Sequence, residues 1–150
     1  MFKVFYEDLV TDETVTVGSV QVDKDEVTAF ASKYDPQPFH LDDDFAKQTP
    51  FGGLCASGWH TCAMVMRLHV DYILREGIAG MGSPGVENLR WLKPVFPGDT
   101  LTLKVSLHDK RASESKPHLG LVRMSDEVVN QKGETVMTMT ATMMMLRRPS

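Results

Sequence analysis

The spacing of apolar positions changes period along the chain. From Trp59 to Glu76 there is neither proline nor glycine, and Cys62, Val65, Met66, Val70, Ile73 and Leu74, with His69 among them, recur at helical intervals. The spacing predicts one long helix, with Ser57 at the N-cap, Arg75 in the last turn and Gly77 just past the end. Trp59, Ala63 and Met64 make much of the opposite side apolar too, so this helix is expected to be wrapped nearly all round. After a glycine-rich loop from Ile78 to Gly85 the period falls to two. Leu101, Leu103, Val105 and Leu107 alternate through Thr100 to Asp109, and Met137, Met139, Ala141, Met143 and Met145 alternate with Thr138, Thr140 and Thr142 through Thr135 to Met145. Val86 to Leu92 and His118 to Asn130 read as two more strands, the second joined to the last strand by the turn residues Asn-Gln-Lys-Gly. Upstream, Thr14 to Val22 is a Val- and Thr-rich strand. The order of elements predicts an α+β domain, an antiparallel sheet wrapped around a long central helix, spanning residues 1–150 as a single domain.

Between the first strand and the long helix the periodicity breaks down. Asp23 opens a helix that carries Val27, Phe30, Ala31 and Tyr34 on one face, with Glu26 placed for a capping box. Pro36 and Pro38 must end it, because each lacks an N–H and drives the preceding residue to extended geometry. Asp42, Asp43 and Asp44 then suit the first turn of a short helix through Lys47, a reading favoured over a metal site because no second acid cluster accompanies them.

Composition narrows the function. With 42% hydrophobic residues in 150, the chain can bury a real core, and a net charge of -4 does not suggest nucleic-acid binding. The N-terminal residues do not resemble a signal peptide, and no window approaches a membrane-spanning length, so a cytoplasmic location is expected. Cys55 and Cys62 fit neither a disulfide framework nor a C-x-x-C motif and read as buried, reduced thiols. His60 and His69 are nine apart and do not share a helix face as a metal pair would; no metal and no cofactor are expected, and there is no G-x-G-x-x-G fingerprint. Arg90, Trp91 and Lys93 suit either a nucleotide or a solvated strand face. Arg147 and Arg148 read as a soluble tail.

The candidate chemistry lies in Y-D-P-Q-P-F-H, Tyr34 to His40. An aspartate and a histidine held by two prolines can share one water, one accepting a proton while the other donates one. The start of the long helix, Gly58, offers unpaired N–H groups to a carbonyl oxygen that becomes negative, and the small residues Ser57 and Gly58 permit close approach by a ligand. Trp59, beside Gly58, suits either the lining of a ligand pocket or the core. Spacing alone serves equally well an aspartate that opens a turn and a histidine satisfied at a helix start.

The segment Tyr34 to His40 resembles the D-x-N-P-x-H segment of the MaoC-like dehydratases and (R)-specific enoyl-CoA hydratases, with Asp35, Pro38 and His40 in matching places. Ala56 to His60 is similar to the segment whose glycine opens the central helix of that family, and Lys93 to Leu101 to the strand-turn-strand that follows it. The resemblance implies a hot-dog fold, a homodimer joined at sheet edges, and an acyl-CoA thioester as substrate. It also implies catalysis by Asp35 and His40 on one water, with the Gly58 N–H on the thioester carbonyl and Gln37, Ser57 and Trp59 near the substrate. The activity implied is hydration of a 2-enoyl-CoA or dehydration of a 3-hydroxyacyl-CoA. An acyl-CoA thioesterase on the same fold and a non-catalytic acyl-binding subunit are the alternatives. One departure stands out: Gln37 replaces the family's asparagine.

Overall fold

The computed structural model describes residues 1–150. A short 3-10 turn, Tyr6–Asp8, precedes β1 (Glu13–Gln21), α1 (Lys24–Tyr34), a 3-10 turn at Pro38–His40, α2 (Asp43–Lys47) and α3 (Gly58–Glu76). Four strands follow: β2 (Val86–Trp91), β3 (Thr100–Ala112), β4 (Leu119–Val129) and β5 (Thr135–Leu146). The five strands form one antiparallel sheet in the order β1-β3-β4-β5-β2. The expected α+β class holds, and element boundaries fall within three residues of those predicted.

Local chemistry explains the boundaries. Asp23 caps α1 by accepting the Glu26 N–H at 3.0 Å, and Asp42 caps α2 by accepting the Phe45 N–H at 3.1 Å. Helix α3 ends where Gly77 adopts a left-handed φ of 69° that a side chain would disfavour, and its carbonyl then accepts the Lys3 N–H at 2.7 Å, tying the N-terminal segment to the helix end. That segment carries no hydrophobic period, which is why the sequence left residues 1–13 without structure. Arg147 and Arg148 are not a free tail as expected: Arg147 pairs with Glu7 at 3.0 Å and Arg148 with Asp8, closing the two termini together.

The core joins one side of α3 to the sheet. Met64, Val65 and Leu68 of α3 are buried with Leu101, Leu103 and Val105 of β3, Met124 and Val128 of β4, and Met137 and Ala141 of β5. The inward sets predicted for β3 and β5 are the ones observed. The wrapping of α3 is incomplete, however: Trp59, Met66, Val70 and Leu74 are exposed, because the sheet covers one side of the helix and α1 touches the other only near its start. Cys62 is likewise half-buried rather than buried, while Cys55 is buried; both are free thiols. No helix is long and apolar enough to cross a membrane.

Leu103 of β3 is fully buried in the cluster that joins the sheet to α3. Leu103→Ala is expected to destabilise the fold by about 2–5 kcal/mol, read as a lower urea midpoint at unchanged slope.

Candidate functional site

Asp35 follows the last residue of α1, with its N–H bonded to the Ala31 carbonyl at 2.9 Å. Pro36 prevents the helix from continuing, and Gln37 is extended (φ -78°, ψ 140°) before the Pro38–His40 turn begins. The chain thus reverses tightly enough that His40 Nε2 lies 3.3 Å from Asp35 Oδ2. The other imidazole nitrogen, Nδ1, is 2.7 Å from the Cys55 carbonyl oxygen. A carbonyl can only accept, so Nδ1 carries a hydrogen and Nε2 is the position that gains or loses a proton towards Asp35 and the cavity. Phe39 packs edge-on to His40 and against Phe51, holding the turn from behind.

Asp35 is oriented from its other oxygen. The Gln37 side-chain amide donates to Oδ1 at 2.7 Å, so the residue that departs from the family's asparagine supports the acid directly. Partial burial, the largest influence, pushes the Asp35 carboxyl upward, but the Ser57 hydroxyl, the Gln37 amide and the charge of His40 together outweigh it and hold the group below its ordinary value. The acid therefore faces the cavity as a carboxylate at neutral pH.

The strand-like segment Leu54 to Ser57 delivers the start of α3 to the same place. Ala56 N–H bonds the Val95 carbonyl at 2.8 Å, and Cys55 N–H the Phe39 carbonyl at 3.3 Å. Ser57 occupies the N-cap position, but its hydroxyl makes no capping bond; it is buried, without a hydrogen-bond partner of normal length. Gly58 opens the helix, so its N–H has no intrahelical acceptor. Its lack of a side chain is enforced: a Cβ there would lie 2.5 Å from the Trp91 ring, whose Nε1 donates to the Gly58 carbonyl at 3.0 Å. Trp59 meets Trp91 edge to face at 5.2 Å.

These parts line one cavity of about 470 Å³, within the usual size of small-molecule sites. Asp35, Gln37, His40, Ser57, Gly58 and Trp59 all contribute to its wall, with Trp91 and Lys93 from the far side. Sequence reading left Trp91 undecided and gave Cys55 no part in the site; the first is 33 positions from Gly58 and acts through a contact that no local spacing encodes. Lys93, considered for phosphate contact, is paired with Glu134, and Arg90 donates to the Leu89 carbonyl.

Cys55 also brings a thiol to 3.7 Å from His40 Nδ1. It is no thiolate nucleophile: burial first, then the charge of Asp35, raise its pKa to about 11, and Nδ1 is already committed to a carbonyl. His60 is packed away from the cavity, stacked on Phe30 at 4.9 Å, and burial lowers its pKa, keeping it neutral.

A sheet wrapped on one long helix, with an acid–histidine pair near that helix's N-terminus, is a hot-dog domain. The chain belongs to the MaoC-like family: the family described as MaoC like domain matches residues 7–130. Its fold superposes on a MaoC-like dehydratase from Rhodospirillum rubrum with a TM-score of 0.87 and 38% identity, over 99% of this chain and 100% of that one. The unliganded R-hydratase PhaJ1 from Pseudomonas aeruginosa aligns with a TM-score of 0.76 and 25% identity, over 97% and 87% of the two chains. In sequence the chain is 27% identical to a 3-hydroxybutyryl-CoA dehydratase of Methylorubrum extorquens over 128 residues, 83% of this chain and 78% of that one. The family and fold expected from the Tyr34–His40, Ala56–His60 and Lys93–Leu101 segments are thereby established.

The depressed Asp35 carboxyl has a consequence for acid stability. A carboxylate whose folded value lies below its ordinary 3.8 adds stability that is present above that pH and is lost as pH falls through the folded value. Gln37→Leu removes one of the groups that favour the charged form. The Asp35 carboxyl midpoint, followed by its carboxyl carbon NMR signal, is expected to rise, and the acid-side loss of stability associated with it to shrink.

Proposed function

We propose that the protein is a hydro-lyase that adds water to a 2-enoyl-CoA thioester, or removes it from a 3-hydroxyacyl-CoA. The observation that carries this reading is the 3.3 Å approach of His40 Nε2 to Asp35 Oδ2 on the wall of a cavity that also contains the first N–H of α3. The family membership and the dehydratase and hydratase names of its relatives support it.

The roles follow from the geometry. The thioester carbonyl accepts the Gly58 N–H, which becomes a stronger contact as negative charge gathers on that oxygen. The attacking water sits against both Asp35 and His40, which lie within direct reach of each other. Asp35, held charged, takes a proton from it while the water oxygen bonds to the β-carbon and the double-bond electron pair moves towards the thioester oxygen. Asp35 passes that proton to His40 Nε2 across the short gap between them, and His40 gives it to the α-carbon. One O–H bond of water is broken, one C–O and one C–H bond are formed, and both catalytic groups end as they began. Dehydration is the same sequence reversed. Ser57, whose buried hydroxyl helps to hold Asp35 charged, and Gln37, through Asp35, complete the polar wall, and Trp59 lines the apolar one.

The same reading includes a homodimer in the cytoplasm. Strand β2 has a neighbour on one side only, and Val86, Trp91 and Leu92 beside it are exposed together with the outer face of α3, which gives an edge and an apolar surface for a second copy.

Mixing the protein with a short-chain trans-2-enoyl-CoA should cause loss of the enoyl thioester absorbance without release of free thiol. Thiol release would instead indicate a thioesterase, and binding without turnover an acyl-binding subunit. Asp35→Asn and His40→Ala are each expected to lower the rate by roughly 10²–10⁴-fold, with the double variant little worse than either, because the two act as a unit. Full activity in Asp35→Asn would refute the mechanism.

A further inference from the structure

A second acid–histidine pair lies deeper in the same domain. The inward positions of β4 are Val122, Met124, Asp126 and Val128, and Asp126 is as buried as its apolar neighbours, at 3% exposure. It is met by His69 from the buried side of α3, with Nε2 at 2.7 Å from Asp126 Oδ2. A carboxylate placed where a valine would fill the space is costly to bury. The pair does not complete its own bonding: Asp126 Oδ1 is buried without a partner, and His69 Nδ1 takes part in no hydrogen bond of the chain.

Beside the pair is a cavity of about 220 Å³. His69, Tyr72 and Ile73 of α3 form one wall, and Val105, Leu107 and Met124 of the sheet another. Leu9 and Val10 close it from the N-terminal segment, which Lys110 holds by donating to the carbonyls of Tyr6, Glu7 and Leu9 at 3.0, 3.3 and 2.9 Å. This cavity shares no lining residue with the one at Asp35, and His69 is eleven residues along α3 from Gly58, about 16 Å of helix.

We propose that this cavity is a second ligand site, for a small, neutral, largely apolar molecule that carries one hydroxyl. His69 Nε2 is engaged with the Asp126 carboxylate and Nδ1 is left without a partner in the chain, and a hydroxyl can meet it as donor or as acceptor. Eleven of the fourteen lining residues are hydrophobic, which fixes the rest of the ligand as apolar. No lysine or arginine lines the cavity to receive an anion, and Glu13 on its wall opposes one. A cavity of about 220 Å³ has room for one six-membered ring, since an apolar cavity of about 150 Å³ can hold benzene. The proposal is independent of the reaction assigned to Asp35 and His40.

Phenol, benzene and benzoate test it, because they share a ring and differ in the donor and the charge. In protein labelled with carbon-13 at the methionine methyls, Met124 and Met143 line the cavity and Met64 does not. Phenol is expected to shift the Met124 and Met143 signals saturably, about fivefold or more tighter than benzene, as one hydrogen bond would give. Benzoate is expected to leave them unchanged. Replacing the pair together, His69→Leu with Asp126→Leu, should abolish the preference for phenol over benzene. Leu107→Phe keeps the pair but fills the cavity, and should block both ligands. The absence of a saturable phenol shift, equal affinity for phenol and benzene, saturable binding of benzoate, or a preference that survives removal of the pair would each overturn the assignment.

Discussion

The contact between the inner side of α3 and the sheet is the constraint from which the other features follow. Met64, Val65 and Leu68 are sealed against Leu101, Leu103, Val128 and Met137, and burial of such side chains contributes about 1.5–3 kcal/mol each. No sliding of the helix along the sheet is compatible with that interdigitation. Both ends of α3 are therefore fixed relative to the strands: Gly58 beneath the Trp91 indole at one end, and the Gly77 carbonyl receiving the N-terminal segment at the other. A hydrogen-bond donor on a rigid element can be aimed at a developing charge with little reorganisation, and the first N–H of α3 has that property.

The catalytic geometry is built by short-range restraint added to this frame. Two prolines remove alternative backbone paths between Asp35 and His40, and three hydrogen bonds fix what remains: Gln37 to Asp35, His40 Nδ1 to the Cys55 carbonyl, and Cys55 N–H to the Phe39 carbonyl. The glutamine in place of the family's asparagine is absorbed without loss of the acid, since the amide of Gln37 reaches Asp35 Oδ1. The same contacts discriminate among chemistries. They leave a carboxylate and an imidazole nitrogen on the cavity wall while keeping the adjacent thiol of Cys55 protonated, which fits the proposed use of water rather than sulfur as the nucleophile.

What could be read from the sequence divides by the range of the interaction responsible. Strand alternation, the cap at Asp23, the acidic start of α2 and the stop at Gly77 are decided within a few residues, and these elements were legible; that Asp42 is the cap of α2 came from the structure. Asp35, His40 and Gly58 were singled out because prolines and a small residue at a helix start leave a local mark, although family resemblance was needed to choose catalysis over a turn. The contacts made at long separation left no such mark. Trp91 on Gly58, Lys110 on the carbonyls of the N-terminal segment, and Arg147 on Glu7 are of this kind. The outer face of α3 was misread for a related reason: apolar residues all round a helix predict burial, but only the sheet of this chain was available to provide it, and Trp59, Met66, Val70 and Leu74 remain uncovered.

His69 shows the limit of periodicity most directly. Within the apolar series of α3 it reads as a packed histidine, and on that count the reading is right, since it is 8% exposed. Its partner is 57 residues away on an inward position that alternation assigns to a hydrophobic side chain. Two acid–histidine pairs thus flank one helix in different surroundings. Asp35 is surrounded by groups that stabilise its charge and opens on a cavity with many polar walls, which suits proton exchange with water. Asp126 has one partner, one idle oxygen and an apolar cavity beside its histidine. An arrangement of that kind sets His69 in a largely apolar wall, where a hydrogen bond to a ligand hydroxyl counts for more than it would in water.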